Sequence, residues 1–170
     1  MPEGSSDADR AVTALFREHH LELVRLALVM VGDQATAEDV VQDAFEQLHR
    51  RWHRLREPGS GLAYARASVL NGCRTAARRS VVARKYLPRL AGPLIRGPDA
   101  EAALADQSEM LAALRRLPRR QREVLVLRYY VDLDVEEIAG TLRISPGAVR
   151  STASRGLSAL GRAWEGHSDD

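Results

Sequence analysis

The side chains of this 170-residue chain best suited to a chemical task are arginines, hydroxyls and an amide rather than paired acids and bases. Arg150 and Arg155 fall at helical spacing with Gly147, Ser151 and Ser154, while Val149, Ala153, Gly156, Leu157, Leu160 and Trp164 fall on the opposite side. A helix divided in this way can lie close to a DNA major groove. Small residues permit approach, hydroxyls bond phosphates, and arginines reach guanine edges or the backbone. Between Glu137 and Glu165 there is no acidic residue to oppose a polyanion. A second basic set is Asn71, Arg74 and Arg78, sharing a face with small Ala67 and followed by Arg79. An amide for base edges beside guanidiniums for phosphate or stacking suits a single strand. A third set, Asp39, Gln42, Asp43, Glu46 and Arg50, makes a polar stripe whose periodicity leaves a solvated surface and a contact surface both open.

These residues need helices to hold them. Asp134 as N-cap with Glu137 three residues on is a capping box, and Ile138, Ala139 and Leu142 give the following helix its buried face. Arg143 occupies the next turn, where a glycine able to take positive φ is more usual. Ser145 as N-cap and Pro146 at the first helical position open the arginine-bearing helix. Asp134 to Leu160 therefore reads as a helix-turn-helix, the alternative being an ordinary amphipathic pair with a solvated basic face.

Upstream, Asp9 is expected to cap a helix running to about Val31, with Val12, Leu15, Phe16, Leu23, Leu26, Ala27 and Met30 as its apolar stripe and Gly32 just past its end. The polar, acidic residues before it, MPEGSSDADR, read as a disordered lead-in and not as a signal peptide. A second helix runs from Gln34 or Ala37 to about Trp52, its core face being Val41, Ala44, Phe45, Leu48 and Trp52. Glu57 to Gly61 reads as a loop. A third helix follows from Leu62 to about Arg79, packing through Leu62, Ala65, Val69, Cys73 and Ala76. Ser80 to Ala105 holds Pro88, Gly92, Pro93, Gly97 and Pro98 and reads as a linker. Beyond it lie a helix around Gln107 to Arg116 and another opened by Pro118 and running to about Tyr130. With no strand pattern, the expected fold class is all-α: two small helical domains, residues 9–80 and 106–165, joined by a flexible linker at 81–105, the second containing the helix-turn-helix.

Composition sets outer bounds. At 28% charged and 45% hydrophobic the chain has the balance of a soluble globular protein. Its net charge of +2 hides segregation, because Pro58 to Pro98 carries Arg66, Arg74, Arg78, Arg79, Arg84, Lys85, Arg89 and Arg96 and no acid. A polyanion is the natural partner of such a stretch. The single cysteine, Cys73, excludes an internal disulfide and a cysteine-rich zinc site, and reads as a small buried residue. Leu21 to Val31 is too short an apolar run for a bilayer and contains Glu22 and Arg25, so no membrane partner is expected and the cytoplasm is the expected compartment. His49 and His53 sit four apart, a spacing that can hold metal, but no third ligand is evident and no metal or cofactor is assigned. No Ser/His/Asp grouping, phosphate-cradling glycine loop or His-Glu-x-x-His pattern occurs, so no catalytic residue is assigned and the chain is not expected to be an enzyme.

AEDVVQDAF (37–45), the RRWHRLREP that ends at residue 58, AYARASVLNGCRTAARR (63–79), LPRRQREVLVLRYYVDLDVEEIA (117–139) and SPGAVRS (145–151) together resemble the extracytoplasmic-function (ECF) sigma factors, most of all the actinobacterial SigE-like group. The resemblance spans about Leu15 to Leu160 with the motifs in order. It implies an N-terminal domain that binds the clamp helices of the RNA polymerase core and reads the melted −10 element, and a C-terminal domain that grips the core's flap and reads the −35 element. Carried onto this sequence, it implies core contact through Asp39, Gln42, Asp43 and Glu46, −10 contact through Asn71, Arg74, Arg78 and Arg79, and −35 contact through Ser145, Gly147, Arg150, Ser151, Ser154 and Arg155. It also implies an anti-sigma factor that buries the same polar faces. The chain departs from the family's pattern at PGSGL (58–62), a longer connection, and at Ala148, Thr152 and Ala153, where Thr, Arg and Leu are commoner. Two other readings remain: an autonomous helix-turn-helix regulator that binds duplex operators without core polymerase, and a helical adaptor for an acidic protein.

Overall fold

Gly32 ends the first helix in the left-handed region at φ 86°, and Asp33 starts the second by accepting the Thr36 N–H at 2.9 Å. That turn folds the chain back on itself. The structure, a computed structural model, describes residues 3–55, 57, 59–86 and 101–165, with the side chains of 3–6, 83–86, 101–108 and 164 outside the description. Among these residues there are seven α-helices, one 3-10 turn and no strand. The chain divides into two compact units, Met1–Ala91 and Gly92–Asp170.

The N-terminal unit packs α1 (Glu3–Val31), α2 (Gln34–Arg51) and α3 (Ser60–Tyr86) against one another, with a 3-10 turn at Trp52–Arg54. Leu23, Leu26 and Ala27 of α1, Val41, Ala44, Phe45 and Leu48 of α2, and Ala65, Val69, Leu70 and Cys73 of α3 are buried together. Phe16 meets the edge of Phe45 with ring centroids 5.0 Å apart.

Four helix boundaries differ from the sequence expectation. The first helix starts at Glu3, not Asp9, because Ala8 and Val12, four residues apart, both reach the core. Asp9 does not cap; its carboxylate bonds the ring of His49 on α2. Gly61 belongs to α3 rather than to a loop, since it is buried where a Cβ would stand 2.9 Å from Leu15 Cδ1 and 3.0 Å from Trp52 Cζ3. Its value is close approach, not turning. The helices also enter the expected linker from both sides, α3 continuing to Tyr86 and α4 beginning at Glu101; residues 87–100 lie outside the described residues.

In the C-terminal unit α4 (Glu101–Arg116), α5 (Arg119–Tyr129), α6 (Val135–Leu142) and α7 (Pro146–Glu165) pack around α5, whose residues Glu123 to Leu127 are all buried. Burial on every side explains why α5 shows so little amphipathic pattern. Arg122 donates to the carbonyls of Leu114, Arg115 and Leu117, closing the end of α4. Burial pushes its guanidinium below the ordinary value, Arg115 adds to that and Glu123 opposes it. Glu123, 1% exposed, meets Arg120 at 3.2 Å and Arg119 at 3.8 Å, so its charge is paired.

Candidate nucleic-acid interfaces

On α2, Asp39, Gln42, Asp43 and Glu46 are all exposed, opposite the buried Val41, Ala44, Phe45 and Leu48. Gln42 donates to Glu46 at 3.5 Å, and Arg50 lies 3.8 Å from the same carboxylate. Asp39 and Asp43 are like charges one turn apart, which is mildly unfavourable in an isolated helix. Folding alone gives no reason for that pair.

On α3, Asn71, Arg78 and Arg79 are exposed and Arg74 is half-buried. Arg74 Nη1 donates to Asn71 Oδ1 at 2.9 Å, Thr75 Oγ1 donates to the Asn71 carbonyl at 3.1 Å, and Arg78 Nη2 donates to Thr75 Oγ1 at 3.4 Å. A guanidinium cannot accept, so the Asn71 amide must turn its oxygen to Arg74 and its NH2 group away from it. This leaves a donor pair at Asn71 inside a run of positive charge. Arg66, part of the same acid-free stretch of sequence, does something else: it is 14% exposed and bonds Glu22 on α1 at 3.0 Å, with His19 3.5 Å from that carboxylate. The partner is distant in sequence, so local reading missed it. Gly72 was also missed; a Cβ there would stand 2.8 Å from Val40 Cγ1, and this contact brings α3 close to α2.

The helix-turn-helix is formed by α6 and α7. The capping box is complete: the Glu137 N–H donates to Asp134 Oδ1 and the Asp134 N–H donates to Glu137 Oε2, each at 2.8 Å. Arg143 takes the left-handed conformation at φ 55° and ψ 51°, doing the work of the more usual glycine. Ser145 Oγ accepts the Ala148 N–H at 3.1 Å, which leaves its own O–H to donate outward at the start of α7. Gly147, Arg150, Ser151, Ser154 and Arg155 are all exposed, as their shared side requires. One position corrects the helical wheel and another completes it. Leu157, expected to pack, is 45% exposed, and Thr152 is 5% exposed with its Oγ1 accepting from Arg155 at 3.4 Å. Thr152, where the family more often carries Arg, therefore faces its own unit. The tight passage of Gly156 over Leu125, where a Cβ would meet Cδ1 at 3.0 Å, sets this rotation of α7. The Trp164 side chain lies outside the described residues.

Two helical units, one bearing a helix-turn-helix and the other an amide-and-arginine face, define a class of transcription factor subunit. Residues 15–81 match the family "Sigma-70 region 2" and residues 107–160 match "Sigma-70, region 4". The chain is 32% identical over 142 residues to RNA polymerase sigma-E factor of Streptomyces coelicolor, covering 81% of this chain and 77% of that one. It is 32% identical over 168 residues to ECF RNA polymerase sigma factor SigL of Mycobacterium tuberculosis, covering 92% and 91%. The chain belongs to the ECF RNA polymerase sigma factors. Its fold is similar to that of CnrH, solved in complex with the cytosolic domain of CnrY, at a TM-score of 0.73 and 23% identity over 95% of each chain. It is also similar to the sigma factor RpoE of Bartonella quintana, solved with the anti-sigma factor NepR, at a TM-score of 0.70 and 19% identity over 97% of this chain and 98% of that one. No described helix is long and apolar enough to cross a membrane.

Proposed function

We propose that this sigma factor directs core polymerase to promoters by dividing recognition between its units. The stripe of Asp39, Gln42, Asp43 and Glu46 contacts the clamp helices, and Asn71, Arg74, Arg78 and Arg79 hold the opened strand of the −10 element. On the −35 duplex, Ser145, Gly147, Arg150, Ser151, Ser154 and Arg155 make the contacts while their unit engages the flap. The observation that carries this reading is the Arg74–Asn71 bond, which turns an amide donor pair outward among phosphate-binding arginines. An autonomous regulator of duplex DNA reads through its helix-turn-helix and needs no second such group on the flank of α3. The chain contributes specificity and strand capture, and polymerisation chemistry belongs to the core enzyme. The compartment of this work is the cytoplasm. An anti-sigma factor is a second partner for the same polar faces, in keeping with the solved relatives found with CnrY and NepR.

Run-off transcription with purified core polymerase on a genomic promoter library tests the proposal. Initiation at discrete promoters only when the protein is added is expected. Retention of duplex DNA by the protein alone, with no initiation, would instead establish the autonomous regulator.

A further inference from the structure

Arg150 has an ion-pair partner outside its own helix. Its Nη2 lies 3.6 Å from Oε1 of Glu136 in the first turn of α6, with both side chains well exposed at 63% and 68%. The adjacent acid, Glu137, is committed to the capping box, so Glu136 is the carboxylate of that turn directed at α7. Arg155 is treated differently: its Nε donates to the Ser151 carbonyl at 3.3 Å and its Nη2 to Thr152 at 3.4 Å, folding it onto its own helix. Two arginines on one face thus have different restraints.

We propose that Glu136 is a positioning residue that sets the base preference of Arg150. The proposal rests on α7 being the helix that reads the −35 duplex. A guanidinium has five donors in a rigid fork, so one edge can meet the carboxylate while another presents two donors to the paired acceptors of guanine. Holding the fork before DNA arrives removes part of the rotamer freedom that binding would otherwise have to remove. The carboxylate also repels phosphate, which opposes the competing state in which Arg150 lies on the backbone and reads nothing. Glu136 therefore disfavours the backbone-bound state that every sequence offers and raises the ratio between the right base and the wrong one.

Holoenzyme assembled from core polymerase and the full chain is offered a duplex library randomised over the −35 region, and the retained DNA is sequenced. Glu136→Gln is expected to lower the preference at one base pair by about two- to five-fold, the range an exposed ion pair supports. That base pair is the one at which Arg150→Ala loses preference, and Glu136→Gln adds nothing in the Arg150→Ala background. Asp132→Asn is the charge control, removing an exposed acid at φ 61°, where Asn is tolerated. It should raise retention of matched and unmatched DNA by the same factor and so keep the preference. If Glu136→Gln behaves like Asp132→Asn, or shifts preference at a base pair that Arg150→Ala leaves alone, the positioning role is overturned. If Arg150→Ala itself leaves the selected sequences and their retention unchanged, the assignment of α7 as the reading helix fails first and takes this inference with it.

Discussion

Helices α3 and α7 are built on one plan and differ in where their polar groups sit. Each comes close to a neighbour at a glycine, Gly72 against Val40 and Gly156 against Leu125, and each turns arginines to the other side. In α3 the polar groups lie mid-helix, tied into a chain running Asn71, Thr75, Arg78 with Arg74 alongside. In α7 they begin at the N-cap, where Ser145 accepts the Ala148 N–H and Gly147 exposes its backbone. A helix can enter a groove by its N-terminal end, so the α7 arrangement suits duplex DNA. The flank of a helix offers a row of side chains to a strand whose bases are already unstacked, so the α3 arrangement suits melted DNA. Position along the helix, more than residue type, is what distinguishes the two tasks proposed for them.

The comparison requires each helix to be supported by its own unit. Phe45→Ala removes a ring that is 4% exposed and packed on Phe16, and should cost about 3 to 5 kcal/mol. Hydrogen exchange should then show the amides of α3 losing protection while those of α5 and α7 keep theirs. Equal loss in both would mean that one cooperative structure carries both helices.

Next in size come the two arginines of α7. Arg150→Ala should lose about 1 to 3 kcal/mol of discrimination at one base pair of the −35 duplex. Arg155→Ala should weaken all sequences alike and reduce the salt slope by about one, as loss of a phosphate contact does. Selection from a randomised duplex library at two salt concentrations separates them, and the same signature from both would remove the distinction drawn from their restraints.

For α3 the expected failure is of a different kind. Asn71→Ala holoenzyme should retain promoter duplex normally yet open the −10 region less, because the amide meets its target only after unstacking; permanganate reactivity of thymines there reads the opening. A loss of about 0.5 to 1.5 kcal/mol for each hydrogen bond from the amide to a base is the expected scale. Normal opening by this variant would place base capture elsewhere on α3.

What the sequence disclosed was local. The capping box of Asp134 and Glu137 and the Ser145–Pro146 start depend on residues within a few positions of one another, and both stand as read, whereas Arg143, noted only for the glycine it replaces, itself takes the left-handed conformation. What escaped depends on partners far along the chain. Gly61 looks like a turn residue until Leu15 and Trp52 are seen against it. Leu157, expected to pack, is exposed while Thr152, assigned to neither face, is buried, and Gly156 passes close over Leu125, a contact that no helical wheel contains. Asp9 looked like a cap and instead meets His49.

Arg66 gives the smallest effect and the sharpest test of where the α3 surface ends. It shares an acid-free stretch with Arg74, Arg78 and Arg79, and charge counting alone would add it to the strand-binding face. Its bond to Glu22 at 3.0 Å and its 14% exposure assign it to the α1–α3 contact instead. Arg66→Met keeps most of the apolar stem and removes the charge. Glu22 is 30% exposed, so water can take up part of the lost pairing, and the cost should be about 1 kcal/mol. Adding Glu22→Gln should recover part of that loss, which a double-mutant cycle by chemical denaturation measures. Strand affinity and its salt slope should be unchanged by Arg66→Met, whereas Arg79→Ala, on an exposed residue, should leave stability within about 0.5 kcal/mol and flatten the slope by about 0.7. A flattened slope for Arg66→Met would mean that the whole basic stretch binds the strand and that the flank of α3 is a broader surface than its mid-helix network defines.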